Sequence, residues 1–152
     1  MAAAKGEIRF ATVRSGLVLD PEIGLLKQLL PVFKVGGGGP LAGGDQYMPW
    51  IHMDDEVGVI LWALDTDGIS GPINAAAPNP VTNRTFSKLL GKVLKRPAFF
   101  PAPKLAVVAM RGGEVADFVT ASLRVVPRRA LDKGYTFRFP ELEPAFRDLL
   151  GR

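Results

Sequence analysis

The sequence predicts an α/β fold made of a few parallel strands and a helical C-terminal region. Two segments typical of strands, residues 8–19 and 72–76, are separated by segments whose apolar residues recur at helical spacing. Apolar residues make up 47% of the 152 residues and charged residues 22%, which is typical of a globular domain with a real core. Because a parallel sheet needs several neighbouring strands, two credible core strands predict that further strands come from another chain or a larger protein.

The first elements are a strand and a helix. Residues 8–14 favour a strand that is interrupted at Ser15 and Gly16 before residues 17–19. A helix is expected from Glu22, and Pro31 should kink or end it because proline removes a backbone donor. The apolar face of this helix is predicted to be Ile23, Leu26, Leu30 and Phe33, which follow one another at intervals of three and four residues.

A glycine-rich loop over residues 36–45 follows, and its four consecutive glycines predict mobility unless something holds it. Residues 47–53 are expected to be extended. Asp54 or Asp55 is then expected to cap a second helix. A catalytic role for this acidic pair is the alternative. The second helix carries an apolar stripe of Val57, Ile60, Leu61 and Leu64.

The C-terminal part of the chain is predicted to be mainly helical. The strongest helix buries residues between 86 and 94 and stops before Pro97. Shorter helical segments are expected over residues 104–110, 114–122 and 127–133, the last closed by Gly134. A short strand is predicted at residues 136–139 and an amphipathic helix at residues 141–150.

Composition excludes several kinds of site and partner. The chain has no cysteine and one histidine, so neither disulfides nor cysteine-based or multi-histidine metal sites are expected. The net charge of +4 comes from basic residues that are spread along the chain, which argues against nucleic-acid binding. No apolar stretch is long enough for a membrane span or a signal peptide, and a cytoplasmic location is therefore expected.

Three polar or aromatic residues near the glycine-rich loop are candidate substrate ligands. Gln46 is expected to line the mouth of a cleft with the loop. Trp50 could form an apolar wall or belong to the core. His52 could touch substrate or be a structural residue.

A series of short motifs runs in order through nearly the whole chain, from about residue 7 to residue 150. In chain order they are Val13-Arg14-Ser15-Gly16-Leu17-Val18-Leu19, Pro31-x-Phe33-Lys34-x-Gly36-x-Gly38-Gly39-Pro40-Leu41-x-x-Gly44-x-Gln46-x-x-x-Trp50-Ile51-His52-x-Asp54-Asp55, Gly71-Pro72-x-Asn74, Ala77-Pro78-Asn79-Pro80-Val81-Thr82-Asn83, Arg96-Pro97, Val125-Val126-Pro127-Arg128-Arg129, Gly134-Tyr135 and Phe139-Pro140-Glu141-Leu142.

In this order and spacing, the motifs resemble the C-terminal half of an atypical extended short-chain dehydrogenase/reductase, an NAD(P)-dependent epimerase-like family with a small C-terminal domain. The resemblance implies a partial Rossmann-like fold in which Arg14, Ser15, Gly16, Leu17 and Val18 lie along the nicotinamide side of NAD(P). A strand end with a turn is the alternative for these five residues.

The resemblance also shows what the chain lacks. The family's catalytic base is a tyrosine four residues before a lysine, but Tyr47 is followed at that distance by Ile51, and Tyr135 by Phe139. No catalytic residue is therefore assigned, and no tight NAD(P) binding by this chain alone is expected. Many extended family members place an arginine just after the position of Gln46, and Tyr47 and Met48 stand here instead, which weakens the case for a nucleotide-sugar substrate.

Two functions follow from these observations. The first is the substrate-lobe portion of an NAD(P)-dependent epimerase or oxidoreductase, inactive alone, with residues 1–98 completing the cofactor-binding domain and residues 99–152 forming the small C-terminal domain. The second is a non-catalytic binding or self-association module. The expected partners are a missing N-terminal half, a second copy and a small-molecule substrate.

Overall fold

The protein is an α/β structure in which short strand pairs are surrounded by helices. A computed structural model describes residues 8–101 and 120–152. Within these residues the strands are β1 (Ala11–Ser15), β2 (Leu17–Leu19), β3 (Tyr47–Met48), β4 (Trp50–His52), β5 (Gly71–Ala75) and β6 (Val81–Thr82). The helices are α1 (Gly24–Lys34), α2 (Met53–Asp65), α3 (Asn83–Leu94), α4 (Arg128–Asp132) and α5 (Leu142–Leu149).

The strands form three pairs. β1 pairs with β5 in parallel, with Ala11 opposite Gly71 and Ser15 opposite Ala75. β2 pairs in parallel with β4, and β3 pairs antiparallel with β6. This topology confirms the expected α/β class with few parallel strands. In the part of the chain that is described, β1 has a strand neighbour on one edge alone.

One group of apolar residues, here called the helical cluster, lies between α1, α3 and α5. The expected faces of these helices are largely confirmed, because residues three and four apart in a helix share one side. Ile23 is the exception: it precedes α1 as the N-cap residue and is exposed. The buried members of the helical cluster are Leu19, Leu26, Leu30, Phe33, Met48, Trp50, Ala77, Phe86, Leu90, Val93, Leu94, Leu142, Ala145 and Phe146.

A second group, here called the sheet cluster, lies where α2 and α4 cover the β1–β5 pair. Ala11 and Val13 of β1 pack against it from one face of the strand, as expected from the alternation of side chains along a strand. The buried members of the sheet cluster are Ile51, Val59, Ala63, Ile69, Ile73, Ala75, Ala130 and Phe137.

Helix α2 differs from the prediction in the face that it buries. Its apolar stripe is exposed: Leu64 and Leu61 expose 65% and 52% of their surface. Val59 and Ala63 are buried instead, together with Asp55 and Glu56 of the first turn. The prediction that Asp54 or Asp55 caps α2 was also wrong, because His52 is the N-cap and its Nδ1 accepts a hydrogen bond from Asp54 N at 3.0 Å.

Pro31 was expected to kink or end α1, and it does not end the helix, which continues to Lys34. Pro31 is exposed, so water can reach the carbonyl that its ring leaves without a donor. A further prediction needs correction. Residues 136–139 form no strand, because the amides of Arg138 and Phe139 donate to a carboxylate of α2 rather than to a neighbouring strand. The helices expected at 104–110 and 114–122 lie mainly outside the described residues.

The glycine-rich loop is held by the protein itself. The carbonyl of Gly39 accepts a hydrogen bond from Ser87 Oγ at 3.1 Å, and the carbonyl of Gly38 accepts one from Phe100 N at 3.3 Å. A Cβ atom on Gly39 would lie 2.1 Å from the Phe100 carbonyl oxygen. The glycine is therefore explained by close backbone packing.

Candidate functional site

An apolar pocket lies between β2, α1 and the β3–β4 segment. It holds about 580 Å³ of empty space, part of which is open to solvent. Its described lining residues come from six separate parts of the chain: Leu17, Leu25, Leu29, Leu41, Tyr47, Met48, Pro49, Asn83, Ala121 and Leu123.

A backbone contact at Gly16 sets the position of the pocket wall. Gly16 N donates to the carbonyl of Ala75 at 2.8 Å, and the next amide, that of Leu17, donates to the carbonyl of Pro49 at 2.6 Å. The backbone therefore changes its hydrogen-bonding strand from β5 to β4 between Gly16 and Leu17. A Cβ atom at position 16 would lie 2.1 Å from the Pro49 oxygen, so glycine is required here.

The segment that precedes α4 lies against the rim of the pocket. Tyr47 N donates to Ser122 Oγ at 3.1 Å, and Leu123 N donates to the Tyr47 carbonyl at 3.2 Å. The guanidinium of Arg124 lies over the Tyr47 ring, 5.4 Å from its centre, which is a cation–π distance. The C-terminal region thus completes a pocket that the first half of the chain begins.

The five residues predicted to bind cofactor surround the carboxyl end of β1 and point to different places. Leu17 lines the apolar pocket, whereas Val18 packs against the sheet cluster. Arg14 is exposed and lines a separate shallow depression. That depression is also lined by Pro72, Asn74, Val126, Arg128, Arg129, Asp132 and Lys133. Cofactor binding by these five residues stays a prediction.

Ser15 is held by a buried carboxylate. Its Oγ donates to Oε1 of Glu56 at 2.5 Å. Glu56 is buried, and its second oxygen, Oε2, has no hydrogen-bond donor among the residues that the structure describes. A buried carboxylate oxygen without a hydrogen-bond donor lowers the stability of the fold. The Ser15–Glu56 pair places such a group at the carboxyl end of β1.

The three residues predicted to bind substrate are buried beside the pocket rather than in it. Gln46 Nε2 donates to the carbonyl of Leu41 at 3.2 Å, and Trp50 Nε1 donates to that of Asn79 at 3.4 Å. The pocket is lined instead by the residues between them, Tyr47, Met48 and Pro49. Substrate contact by Gln46, Trp50 and His52 stays a prediction.

His52 is buried and contacts three protein groups. Its Nδ1 accepts the N-cap hydrogen bond of α2, and its ring stacks on Phe139 with 3.9 Å between centres. Its Nε2 lies 3.2 Å from the Asp148 carboxylate but outside hydrogen-bonding geometry. Because Nδ1 is an acceptor, the neutral ring carries its proton on Nε2.

Asp55 joins α2 to the segment that precedes α5. It is buried, and its two carboxylate oxygens accept hydrogen bonds from Arg138 N at 2.7 Å and Phe139 N at 2.8 Å. The hydroxyl of Tyr135 lies 3.4 Å from Oδ1 of the same carboxylate. Burial, and then the negative charge and hydrogen bond of Asp55, raise the pKa of Tyr135 to about 12. Asp54 forms a separate, exposed ion pair with Arg138.

Within the described ranges, no three acidic or histidine residues are grouped so that they could hold a metal ion. In the same ranges, no helix is long and apolar enough to cross a membrane.

Known proteins are similar to this chain over most of its length. The chain is 41% identical over 143 residues to epimerase family protein SDR39U1 of Bos taurus, an alignment that covers 93% of this chain and 49% of the relative. The crystal structure of human epimerase family protein SDR39U1 (isoform 2) with NADPH superimposes with a TM-score of 0.92 and 37% sequence identity, covering 99% of this chain and 52% of that chain.

This chain is similar over most of its length to about half of an epimerase-family protein. A family described as a domain of unknown function, DUF1731, matches residues 102–149. The nucleoside-diphosphate sugar epimerase of Corynebacterium glutamicum is also similar, with a TM-score of 0.70 and 31% identity over 94% of this chain and 26% of that chain. The chain spans about half the length of the curated epimerase-family relatives that it matches. The resemblance inferred from the sequence motifs is thereby confirmed.

Sequence reasoning missed most of the pocket. Of its described lining residues, Leu17 alone was among the predicted site residues. The half-buried leucines of α1, Leu25 and Leu29, carry no sequence signal that separates a pocket wall from a core face. The run Tyr47-Met48-Pro49 could have been found from the alternation of an extended segment, because its neighbours Gln46 and Trp50 were already candidates.

Proposed function

We propose that this chain forms the substrate-binding part and C-terminal lobe of an NAD(P)-dependent epimerase or oxidoreductase, and that it needs a dinucleotide-binding half for turnover. The observation that carries the proposal is the apolar pocket whose wall, Leu17, follows directly from the carboxyl end of β1. Ligands of open α/β sheets bind outside the carboxyl ends of parallel strands. A cofactor bound there would lie beside the pocket.

Among the described residues β1 has one open edge, and this edge supports a second half that continues the sheet. A strand edge without a neighbour leaves backbone donors and acceptors unpaired. Beside it, Phe10 of the preceding segment and Ile60 and Leu64 of α2 line a groove and are exposed. Further strands and a helix of a dinucleotide-binding half would pair with the edge and cover this apolar surface.

The tyrosines of the chain are poor candidates for a catalytic base. A phenolate is needed for proton abstraction at ordinary pH, and the environment of Tyr135 disfavours it, since its pKa is raised to about 12. Neither Tyr135 nor Tyr47 has a lysine four residues later. In the complete protein NAD(P) would exchange hydride with the substrate, and the base would come from the other half. The role of this chain is to shape the substrate pocket.

Complementation tests this function. The chain would be prepared alone and together with a separately expressed N-terminal half of human SDR39U1, and NADPH binding would be followed by fluorescence titration. We expect saturable binding for the pair and none for the chain alone. Tight NADPH binding by the chain alone would contradict the proposal, as would a stable pair that binds no NADPH.

A matched pair of variants tests the docking surface. Leu64→Lys places a charge in the groove beside β1 and should weaken association with the N-terminal half. Val35→Lys places the same charge at a position that is 83% exposed and lies outside the groove, and it should leave association unchanged. Equal behaviour of the two variants would argue against docking at β1.

The same exposed features favour a second function, a self-association module without catalysis. An open strand edge beside exposed apolar side chains can pair with a second copy. Sedimentation of the chain over a range of concentrations separates the two functions. A concentration-dependent dimer that is abolished by Leu64→Lys would favour self-association, and a monomer at every concentration would count against it. A cytoplasmic location stays a prediction.

A further inference from the structure

We propose that the apolar pocket takes an uncharged hydrocarbon part of the substrate, an alkyl chain or a hydrocarbon ring, and not a nucleotide diphosphate. This inference rests on the proposed function, because it names the substrate class of the same pocket. It goes beyond that function in predicting that the chain alone already recognises part of its substrate.

The walls of the pocket are hydrocarbon. None of its described lining residues carries a charge, and seven of the ten are leucine, methionine, proline, alanine or tyrosine side chains that present apolar surface from outside α1. The two from α1, Leu25 and Leu29, are half-buried, so they present apolar surface to open space. Covering such surface gains about 25 cal/mol per Å² of apolar area. An apolar ligand gains this free energy, and a strongly hydrated one does not.

The amide among the lining residues is already satisfied. Asn83 Oδ1 accepts a hydrogen bond from Leu41 N at 2.7 Å, and its Nδ2 points to Met48 Sδ at 3.2 Å. Asn83 is buried and serves the loop that it holds. The hydroxyl of Tyr47 is the remaining polar side-chain group among the described lining residues. The pocket therefore offers one hydroxyl for orientation and little else that could recognise a polar ligand.

A diphosphate would have no counter-charge among the described residues that line the pocket. Burying an anion without a partner costs several kcal/mol, and phosphate groups are normally held by arginine or lysine. Arg124 is exposed at the rim, where it lies over the outer ring of Tyr47. The basic side chains of Arg14, Arg128, Arg129 and Lys133 line the other depression, which shares no described lining residue with the apolar pocket.

The geometry also orients the ligand. Leu17 lies next to the carboxyl end of β1, whereas the leucines of α1 form a different wall. A substrate whose hydrocarbon part rests on α1 would present its reacting carbon toward Leu17 and the predicted cofactor side. The hydrocarbon part is thus the anchor, and the reacting group lies at its other end.

Leucine methyl NMR of the full chain tests the inference. With 1-octanol as the probe, we expect saturable shifts at the methyls of Leu17, Leu25, Leu29 and Leu41. UDP-glucose at the same concentrations should shift none of them. The Leu29→Gln variant should weaken octanol binding by about tenfold, and Leu25→Gln serves as a second variant if the first is poorly folded. Leu61→Gln, on the exposed face of α2, should leave octanol affinity unchanged.

Two results would overturn the inference: saturable shifts of the pocket methyls with UDP-glucose but not with octanol, or octanol shifts that are as large at Leu61 and Leu64 as in the pocket, which would mean non-specific apolar binding. Failure of the complemented pair to bind NADPH, with octanol binding intact, would overturn the proposed function instead. The two experiments therefore fail independently.

Discussion

The helical cluster and the sheet cluster differ in how completely the described residues cover them. In the helical cluster, α1, α3 and α5 turn their apolar faces toward one another, and Phe86 and Phe146 meet edge to face with 5.0 Å between ring centres. Around the sheet cluster, α2 buries one side against β1 and β5 and leaves Leu61 and Leu64 exposed on the other.

The difference shows which part of the chain is self-sufficient. The helical cluster gains its apolar burial from elements that the chain itself supplies. The sheet cluster lies at an open strand edge, where the face of α2 that carries Leu61 and Leu64 has no cover among the described residues. Exposed apolar surface of this kind marks interaction sites, so the comparison predicts different costs for similar substitutions in the two regions.

The largest effect is expected from Phe146→Ala. Phe146 is fully buried in α5, and removing its ring should lower the free energy of unfolding by about 3–5 kcal/mol. Urea denaturation measures the loss. As the matched control, Leu61→Ala on α2 should change it by no more than about 0.5 kcal/mol. Equal losses for the two variants would show that α2 is covered in the free chain and would break the comparison.

A smaller loss is expected from Asp55→Asn, which weakens the connection between α2 and the segment before α5. One of the two carboxylate acceptors becomes an amide donor that faces a backbone N–H, and hydrogen bonds to charged groups contribute about 1.5–3 kcal/mol each. Asp54→Asn breaks an exposed ion pair instead and should cost at most about 1 kcal/mol. Similar losses in urea denaturation would contradict the role assigned to Asp55.

Arg9→Met should cost about 1–2 kcal/mol because the Arg9 guanidinium binds the C-terminal end of α2. It donates to the carbonyls of Ala63, Leu64 and Ile69, each at 2.6 Å. Hydrogen exchange of the last turn of α2 should speed up in this variant. Arg14→Met, at an exposed arginine that lines the other depression, is the control and should leave exchange unchanged.

The smallest effect is a pH dependence at Tyr135. Its pKa is raised from 10.0 to about 12 by burial and by Asp55. Below pH 10 the phenol is neutral in both the folded and unfolded states, and its full contribution to stability is present. As pH rises from 10 through 12, the unfolded state loses this proton first, so the free energy of unfolding should fall.

Tyr135→Phe removes the titrating group, and the variant should lose less stability than the unmodified chain over that pH range. Urea midpoints on either side of pH 10 measure the difference, and Tyr47→Phe is the control. A parallel decline in the unmodified chain and in Tyr135→Phe would refute the assignment.

Local patterns predicted the elements well and their surroundings poorly. The 3–4 spacing of apolar residues located α1, α3 and α5 together with most of their buried faces, because that pattern is a property of one helix. The same pattern located α2, but it did not indicate that the apolar stripe of this helix is exposed among the described residues. Residues 136–139 resembled a strand, yet their amides bind Asp55, more than eighty positions earlier, and no local signal carries such a contact.

The apolar pocket lies along a segment that the sequence singled out, but other side chains of that segment line it. The segment 46–52 was expected to meet substrate, and the pocket does lie along it, but the lining side chains are those of Tyr47, Met48 and Pro49. Which side chains of an irregular extended segment face a pocket depends on the strands beside it. Those pairings, of β3 with β6 and β4 with β2, join residues far apart in the sequence.

Gly16 has a consequence for how a protein of this kind could diversify. The backbone bonds of Gly16 and Leu17 fix the meeting point of three strands without help from any side chain that faces the pocket. Side chains that line the pocket, such as those of Leu25 and Leu29, can therefore be replaced by others of different shape and size, in evolution or by design, while the strands still meet at Gly16. Because Gly16, which tolerates no side chain, holds the strands through backbone hydrogen bonds, substitutions that change which ligand binds need not disturb the fold.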